Sequence, residues 1–199
     1  MKICLCLMLG YLLGSLSPSA LIAKLKHKNL REHGTKNLGA TNTSLIFGKK
    51  FGVVVMMFDI FKGFLAFKIP SLILPEVKWL SMASGLAAVI GHCFPFYLKF
   101  KGGKGLASFG GMILAYNPLL FAFLLVSAIV LLLIVNHSFI MPFYAAITFV
   151  IFVMIKEQSL PLILFAFLAS LLLIIKHFGN MIKAIRGEDT KIRSYIKNK

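Results

Sequence analysis

Seven apolar runs divide this chain, at roughly 3–23, 51–69, 79–98, 106–116, 119–135, 139–155 and 160–175, with short polar segments between them. A helix needs about 20 apolar residues to cross the hydrocarbon core of a bilayer. Six of the runs approach that length, and 106–116 is short for it. Backbone polar groups in lipid must be satisfied within the segment, which leaves helices or closed barrels. Continuous apolar runs, rather than alternating ones, select helices. The expectation is an all-α, polytopic integral membrane protein with seven transmembrane helices, forming a single domain over 1–199. Apolar residues make up 59% of the chain and the mean hydropathy is +0.89, above the half-apolar composition usual for a soluble domain. The first run follows Lys2 and ends in small residues, as a leader peptide would. It is read as the first span, because the rest of the chain is itself membrane-embedded. Pro18 and the serines around it are tolerable there if neighbouring helices satisfy the backbone.

The net charge of +16 is concentrated in blocks between the apolar runs, which argues for membrane orientation rather than nucleic acid as the reason for it. Seventeen of the 22 Lys and Arg fall in 24–50, 99–104 and 176–199. If those segments share one side, they mark the cytoplasm, with the N-terminus outside and the C-terminus cytoplasmic. Inside the second run, Asp59 and Lys62 are three apart and so share a helix face, as a structural ion pair would. Cys4, Cys6 and Cys93 lie in apolar runs without zinc-ligand spacing and are read as small buried hydrophobes.

The chemistry-bearing segments are assigned to that same inner side. Lys99 to Gly105 holds three lysines and three glycines without an acid. Glycines can turn backbone N–H groups toward one point, and lysines add charge, so this loop reads as a phosphate cradle. A basic loop that only sets orientation has the same composition. Gly34 to Asn42 is rich in Gly, Thr and Asn, which indicates turns and side-chain-to-backbone hydrogen bonds rather than a regular strand. Asn136-His137-Ser138 is a brief polar break, and His177 and Asn180 are three apart, on one face if helical. His92 has no charged neighbour in sequence and is read as a packed, hydrogen-bonded histidine.

Several chemistries are excluded by spacing. No Walker A loop is present, no metal cluster appears, and six acids leave no evident carboxylate pair. The H-x-x-x-x-D pattern of common glycerolipid acyltransferases fails after every histidine; His27 to Glu32 comes nearest. What remains is cations, glycine backbone, amides and a histidine, a set suited to positioning phosphate groups and stabilising their charge.

Three stretches resemble a known family. Gly14-Ser15 with Pro18 and Lys24, continuing through Arg31 to Asn42, looks like its first motif. Gly91 to Pro95 continuing through Phe100 to Ala107 looks like its second, and His177 to Asn180 continuing to Gly187 looks like its third. The family is the bacterial acyl-phosphate:glycerol-3-phosphate acyltransferase, and the resemblance covers nearly the whole chain. It implies a seven-helix enzyme of the bacterial inner membrane with its active site on the cytoplasmic face. Its substrates would be acyl phosphate and glycerol 3-phosphate, acylated at the sn-1 hydroxyl to give lysophosphatidic acid and phosphate. It implies no cofactor, no metal and no nucleic-acid partner, with membrane lipids as surroundings; a monomer is the expectation, although the sequence does not fix the oligomeric state. Carried over by motif, Thr35, Lys104, His177 and Asn180 would be catalytic. Asn37, Asn42, Gly102, Gly103 and Ser138 would bind substrate or phosphate.

The sequence departs from the family's pattern at Leu45, where the family has Arg. Lys36 stands for a Gly, Phe178-Gly179 for Arg-Glu, and Asp189 for a Glu. Losing an arginine removes a bidentate phosphate ligand. Two other readings stay open at this level: a catalytically inactive relative that binds phosphate or lipid headgroups, and an anion transporter.

Overall fold

The computed structural model describes residues 1–188; Asp189 lies outside them. The described residues contain no strand. Nine α-helices follow in order: α1 (Lys2–Ser15), α2 (Pro18–Leu25), α3 (Ala40–Phe47), α4 (Lys49–Ile73), α5 (Lys78–Cys93), α6 (Leu106–Tyr116), α7 (Pro118–Val135), α8 (Ile140–Lys156) and α9 (Leu160–Ile185). A 3-10 turn at Phe96–Leu98 follows α5.

Four stretches are long and apolar enough to cross a membrane: Lys2–Leu25, Lys78–Leu98, Pro118–Val135 and Leu160–Ile185. Leu106–Tyr116 and Ile140–Lys156 are apolar but shorter. The second expected span is a 25-residue helix, α4, which carries Lys49, Lys50, Asp59, Lys62 and Lys68. α7 is apolar on every side and buries only Leu120, Leu124 and Ala128, the surface expected where the solvent is lipid.

Four expectations need correcting. The first run is not one continuous helix. It breaks at Leu16–Ser17, where Pro18 supplies no N–H and the Ser17 side chain caps α2 by accepting from the Ala20 N–H at 3.3 Å. The block read as turns ends in a helix, because Gly39, extended at the N-cap of α3, offers its carbonyl to the Thr43 N–H at 3.0 Å and so opens the first turn. The last span does not stop at 175. α9 continues to Ile185, so His177 and Asn180 are helical. Cys6 and Cys93 are buried, whereas Cys4 is exposed.

The chain alternates between two ends. Tyr97 Oη donates to the Ser15 carbonyl at 2.8 Å and Tyr11 Oη to that of Phe94 at 2.8 Å, which pins the C-terminal end of α5 to that of α1. At the opposite end, Tyr116 Oη donates to Glu157 Oε1 at 2.7 Å, joining the ends of α6 and α8. α1 and α5 pack backbone to backbone: a methyl on Gly14 would strike the Ala88 carbonyl, and one on Gly91 the Tyr11 carbonyl. Small residues permit such close approach in lipid, where packing supplies the attraction between helices. The core lies among α5, α6, α8 and α9, around Met82, Val89, Phe109, Met112, Phe149, Val153 and Leu173. The Phe109 and Phe149 rings meet edge to face at 5.4 Å. This rigid block fixes where α5, α6 and α9 emerge, and the segments at that end carry the motifs.

Candidate active site

The loop between α5 and α6 is a cap for α5. The last carbonyls of a helix lack intrahelical partners. Here the Gly102 N–H donates to the Cys93 carbonyl at 3.0 Å and the Gly103 N–H to that of His92 at 3.0 Å. The Gly102 and Gly103 N–H groups therefore do not converge on an anion as the sequence suggested. They are committed to the end of α5. Their lack of a side chain serves close approach: a methyl on Gly102 would meet the His92 carbonyl, and one on Gly103 the His92 ring and the Leu38 carbonyl. Positive φ occurs instead at Lys99, Phe100 and Gly105. Gly105 is also the N-cap of α6. Lys104 thus sits between the negative end of α5 and the positive end of α6, and its ammonium adds to the latter as an attraction for anions.

Lys104 Nζ donates to Asn180 Oδ1 at 2.5 Å, joining residues 76 apart in sequence. One turn earlier on α9, His177 is buried and its Nδ1 lies 2.9 Å from the Leu173 carbonyl. A carbonyl only accepts, so Nδ1 carries a proton and, in the neutral ring, Nε2 keeps its lone pair. Lys176 stands over the Phe94 ring at 4.6 Å, a cation–π contact that holds α9 against the second motif.

The first motif is folded by Asn42. Its side chain is fully buried; Oδ1 accepts from the Thr35 N–H at 2.8 Å, and Nδ2 donates to the Leu30 carbonyl at 2.8 Å and the His33 carbonyl at 3.1 Å. Asn42 was expected as a phosphate-binding amide. The structure makes it the clamp of the Leu30–Thr35 loop, since both ends of its amide are occupied by backbone. Thr35 is exposed and Asn37 half-buried on that loop. Lys36 has φ 57°, the left-handed conformation that favours the glycine it replaces. Leu45 is exposed on α3. Ser138 is exposed in the turn between α7 and α8.

Arg31 was missed as a structural link. Its guanidinium donates to the carbonyls of Leu98, at 3.3 Å, and Lys101, tying the first motif to the second. Among seven basic residues in one block, nothing in the sequence singles it out. A cavity of about 160 Å³ lies beside this link, lined by Ala20, Ala23, Asn29, Leu30, Arg31, Leu38 and Leu98. Among the described residues, no group of three or more His, Cys, Asp or Glu is arranged to hold a metal.

The three motifs thus meet at one end of the helices. A family model described as glycerol-3-phosphate acyltransferase matches residues 4–187. The chain belongs to the glycerol-3-phosphate acyltransferase family. A glycerol-3-phosphate acyltransferase of Exiguobacterium sibiricum is 39% identical over 197 residues, covering 97% of this chain and 95% of that protein. One of Macrococcus caseolyticus is 37% identical, covering 97% and 98%. Among solved structures, the glycerol 3-phosphate form of PlsY (YgiH), an integral membrane glycerol 3-phosphate acyltransferase, superimposes with TM-score 0.90 at 30% identity over 96% of each chain. Its lysophosphatidic acid form gives 0.88 at 29% identity, over 96% of this chain and 95% of that one. Like PlsY, this member of the family is an integral membrane protein, and its described residues form helices and no strand.

Proposed function

We propose that this chain transfers a fatty acyl group from acyl phosphate to the sn-1 hydroxyl of glycerol 3-phosphate, releasing lysophosphatidic acid and inorganic phosphate. The observation that carries the reading is the Lys104–Asn180 contact, which brings the second and third motifs to one point in a member of this family. The bound forms of PlsY, with glycerol 3-phosphate and with lysophosphatidic acid, support the acceptor and the product.

Acyl phosphate is a mixed anhydride and is already activated. The acceptor hydroxyl attacks its carbonyl carbon, a C–O bond forms, the bond from that carbon to the phosphate oxygen breaks, and phosphate leaves. The protein must hold two anionic groups together against their repulsion. Lys104 at the start of α6 supplies charge for this, with Asn180 fixing its ammonium. In this reading the Nε2 lone pair of His177 takes the hydroxyl proton, a role that the substrate's own phosphate can also fill. Thr35, Asn37 and Ser138, on their loops, contribute polar contacts to substrate; Asn42 and the two loop glycines act by shaping the backbone. In this reading the chain crosses the bacterial inner membrane seven times, with the N-terminus outside and the site on the cytoplasmic side, where the basic segments lie.

The test is phosphate release by the purified full chain. Release requiring both acyl phosphate and glycerol 3-phosphate is the expected result. Its absence with both present would favour an inactive relative that binds phosphate or headgroups, for which Leu45 in place of an arginine is the motive.

A further inference from the structure

Three ionisable side chains, two of them buried and His92 partly so, cluster behind the glycine loop, and neither the family's motifs nor the proposed chemistry uses them together. Asp59 and Lys62, on α4, are each 2% exposed. Lys62 Nζ is 2.7 Å from Asp59 Oδ1; the contact is an ion pair rather than a well-aligned hydrogen bond. The ammonium also donates to the Leu16 carbonyl at 2.6 Å. That carbonyl is where α1 breaks. In a continuous helix it would receive the Ala20 N–H, but Ser17 Oγ takes that N–H instead. An orphaned carbonyl in the membrane is costly, and Lys62 satisfies it.

On its other side Asp59 faces α5. His92 Nδ1 lies 3.4 Å from the same Oδ1, and Ser108 Oγ lies 3.3 Å from that nitrogen. α4 can approach this point because two glycines remove side chains from the α4–α6 crossing. A methyl on Gly63 would strike the Ser108 carbonyl, and one on Gly111 the Ile60 carbonyl. His92 then touches the glycine loop twice. Its carbonyl accepts the Gly103 N–H at 3.0 Å, and its ring is what a methyl on Gly103 would meet. Lys104 is the next residue.

Buried charges in a membrane are expensive, and an ion pair alone would be no better than two apolar side chains. This one reaches two other elements: the break in α1 and the anchor of the loop. We infer that Asp59 and His92 are positioning residues that fix the Lys104 loop, Asp59 orienting the imidazole and the imidazole seating Gly103. The inference rests on the proposed reading of Lys104 as part of the active site. Neither residue touches substrate in it; both act through where the loop stands.

The experiment is a double-mutant cycle of Asp59→Asn and His92→Gln in the purified full chain. It is read by kcat/KM for glycerol 3-phosphate, by thermal midpoint, and by the rate of tryptic cleavage after Lys101, which is exposed on the same loop. A loop displaced by an ångström lowers kcat/KM by about ten- to a hundredfold. That loss is expected in His92→Gln with little change in midpoint, together with faster cleavage after Lys101. The double variant should cost no more than the worse single one, because one contact is being removed twice. Additive losses would make Asp59 a mere counterion to Lys62 and overturn the inference, as would native kcat/KM and native cleavage in His92→Gln. If Asp59→Asn does not fold, His92→Gln alone decides on these terms. If the native chain transfers no acyl group, the functional reading has failed, while the cleavage rates still test whether His92 anchors the loop.

Discussion

Replacing Gly103 by alanine isolates what the loop contributes. The added methyl would overlap the His92 ring and the Leu38 carbonyl, with His92 Cδ2 at 3.0 Å as a third neighbour. Leu38 is backbone and the His92 ring is held by Asp59 and Ser108, so the loop itself must move. Overpacking of this kind costs about 1–3 kcal/mol. If displacement of the loop carries that cost into the transition state, kcat/KM falls by roughly five- to a hundredfold, since about 1.4 kcal/mol is a factor of ten. Phosphate release measured against glycerol 3-phosphate concentration, alongside the thermal midpoint, gives both quantities. Gly179→Ala is the matched control. A methyl there meets nothing within 4 Å, and alanine in a helix is favoured over glycine by about 0.5–1 kcal/mol. Its kinetics should stay native and its midpoint hold or rise. Native kinetics in Gly103→Ala would refute the claim that the loop's backbone position sets the reaction, leaving the basic loop as an orientation signal.

Other outcomes follow from the first motif and the charge pattern. Asn42→Ala orphans the carbonyl of Leu30, which is fully buried, at about 1–3 kcal/mol; thermal unfolding should show the loss, and glycerol 3-phosphate KM should rise because Thr35 is released. Lys36→Gly relieves the left-handed backbone at position 36, worth about 1 kcal/mol, so it should raise the midpoint; a simultaneous loss of activity, rescued by Leu45→Arg, would show the Lys36 ammonium doing an arginine's work, and additive effects of the two would sink that idea. With Cys4, Cys6 and Cys93 removed, a cysteine at position 194, outside the described residues, should resist an impermeant thiol reagent in intact cells and react after lysis. Labelling in intact cells would reverse the orientation.

Hydropathy made the helices legible, because it is a sum over many residues. The apolar runs located α4 to α8 closely and α9 at its start, and the basic blocks anticipated the end at which the motifs meet. The motifs also named Lys104 and Asn180, whose contact is the clearest feature of the site. What stayed hidden depends on single backbone groups. Nothing in the composition of Lys99 to Gly105 says that two of its N–H groups cap α5. Asn42 reads equally well as a ligand or as a clamp until the carbonyls of Leu30 and His33 are seen around it. His92, alone in an apolar run, acquires a carboxylate partner only when α4 is laid against α5.

The break in α1 connects these local facts to the chemistry. If the donor is the proposed acyl phosphate, its chain lies in lipid and its phosphate in water, which puts the site where helices end. A chain of continuous helices would present only loops there. Here α1 stops at Ser15 and a separately capped α2 begins at Pro18. The loop after α2 is then clamped by Asn42 and bound through Arg31 to the carbonyls of Leu98 and Lys101. Breaking a helix near the interface leaves a carbonyl that lipid cannot satisfy, and the chain answers with a buried lysine, whose charge in turn requires Asp59. Asp59 also contacts His92, behind Gly103. The polar groups needed to end α1 early are therefore continuous with those that seat the Lys104 loop, which explains why a chain so poor in acids keeps one of its six buried in the middle of α4.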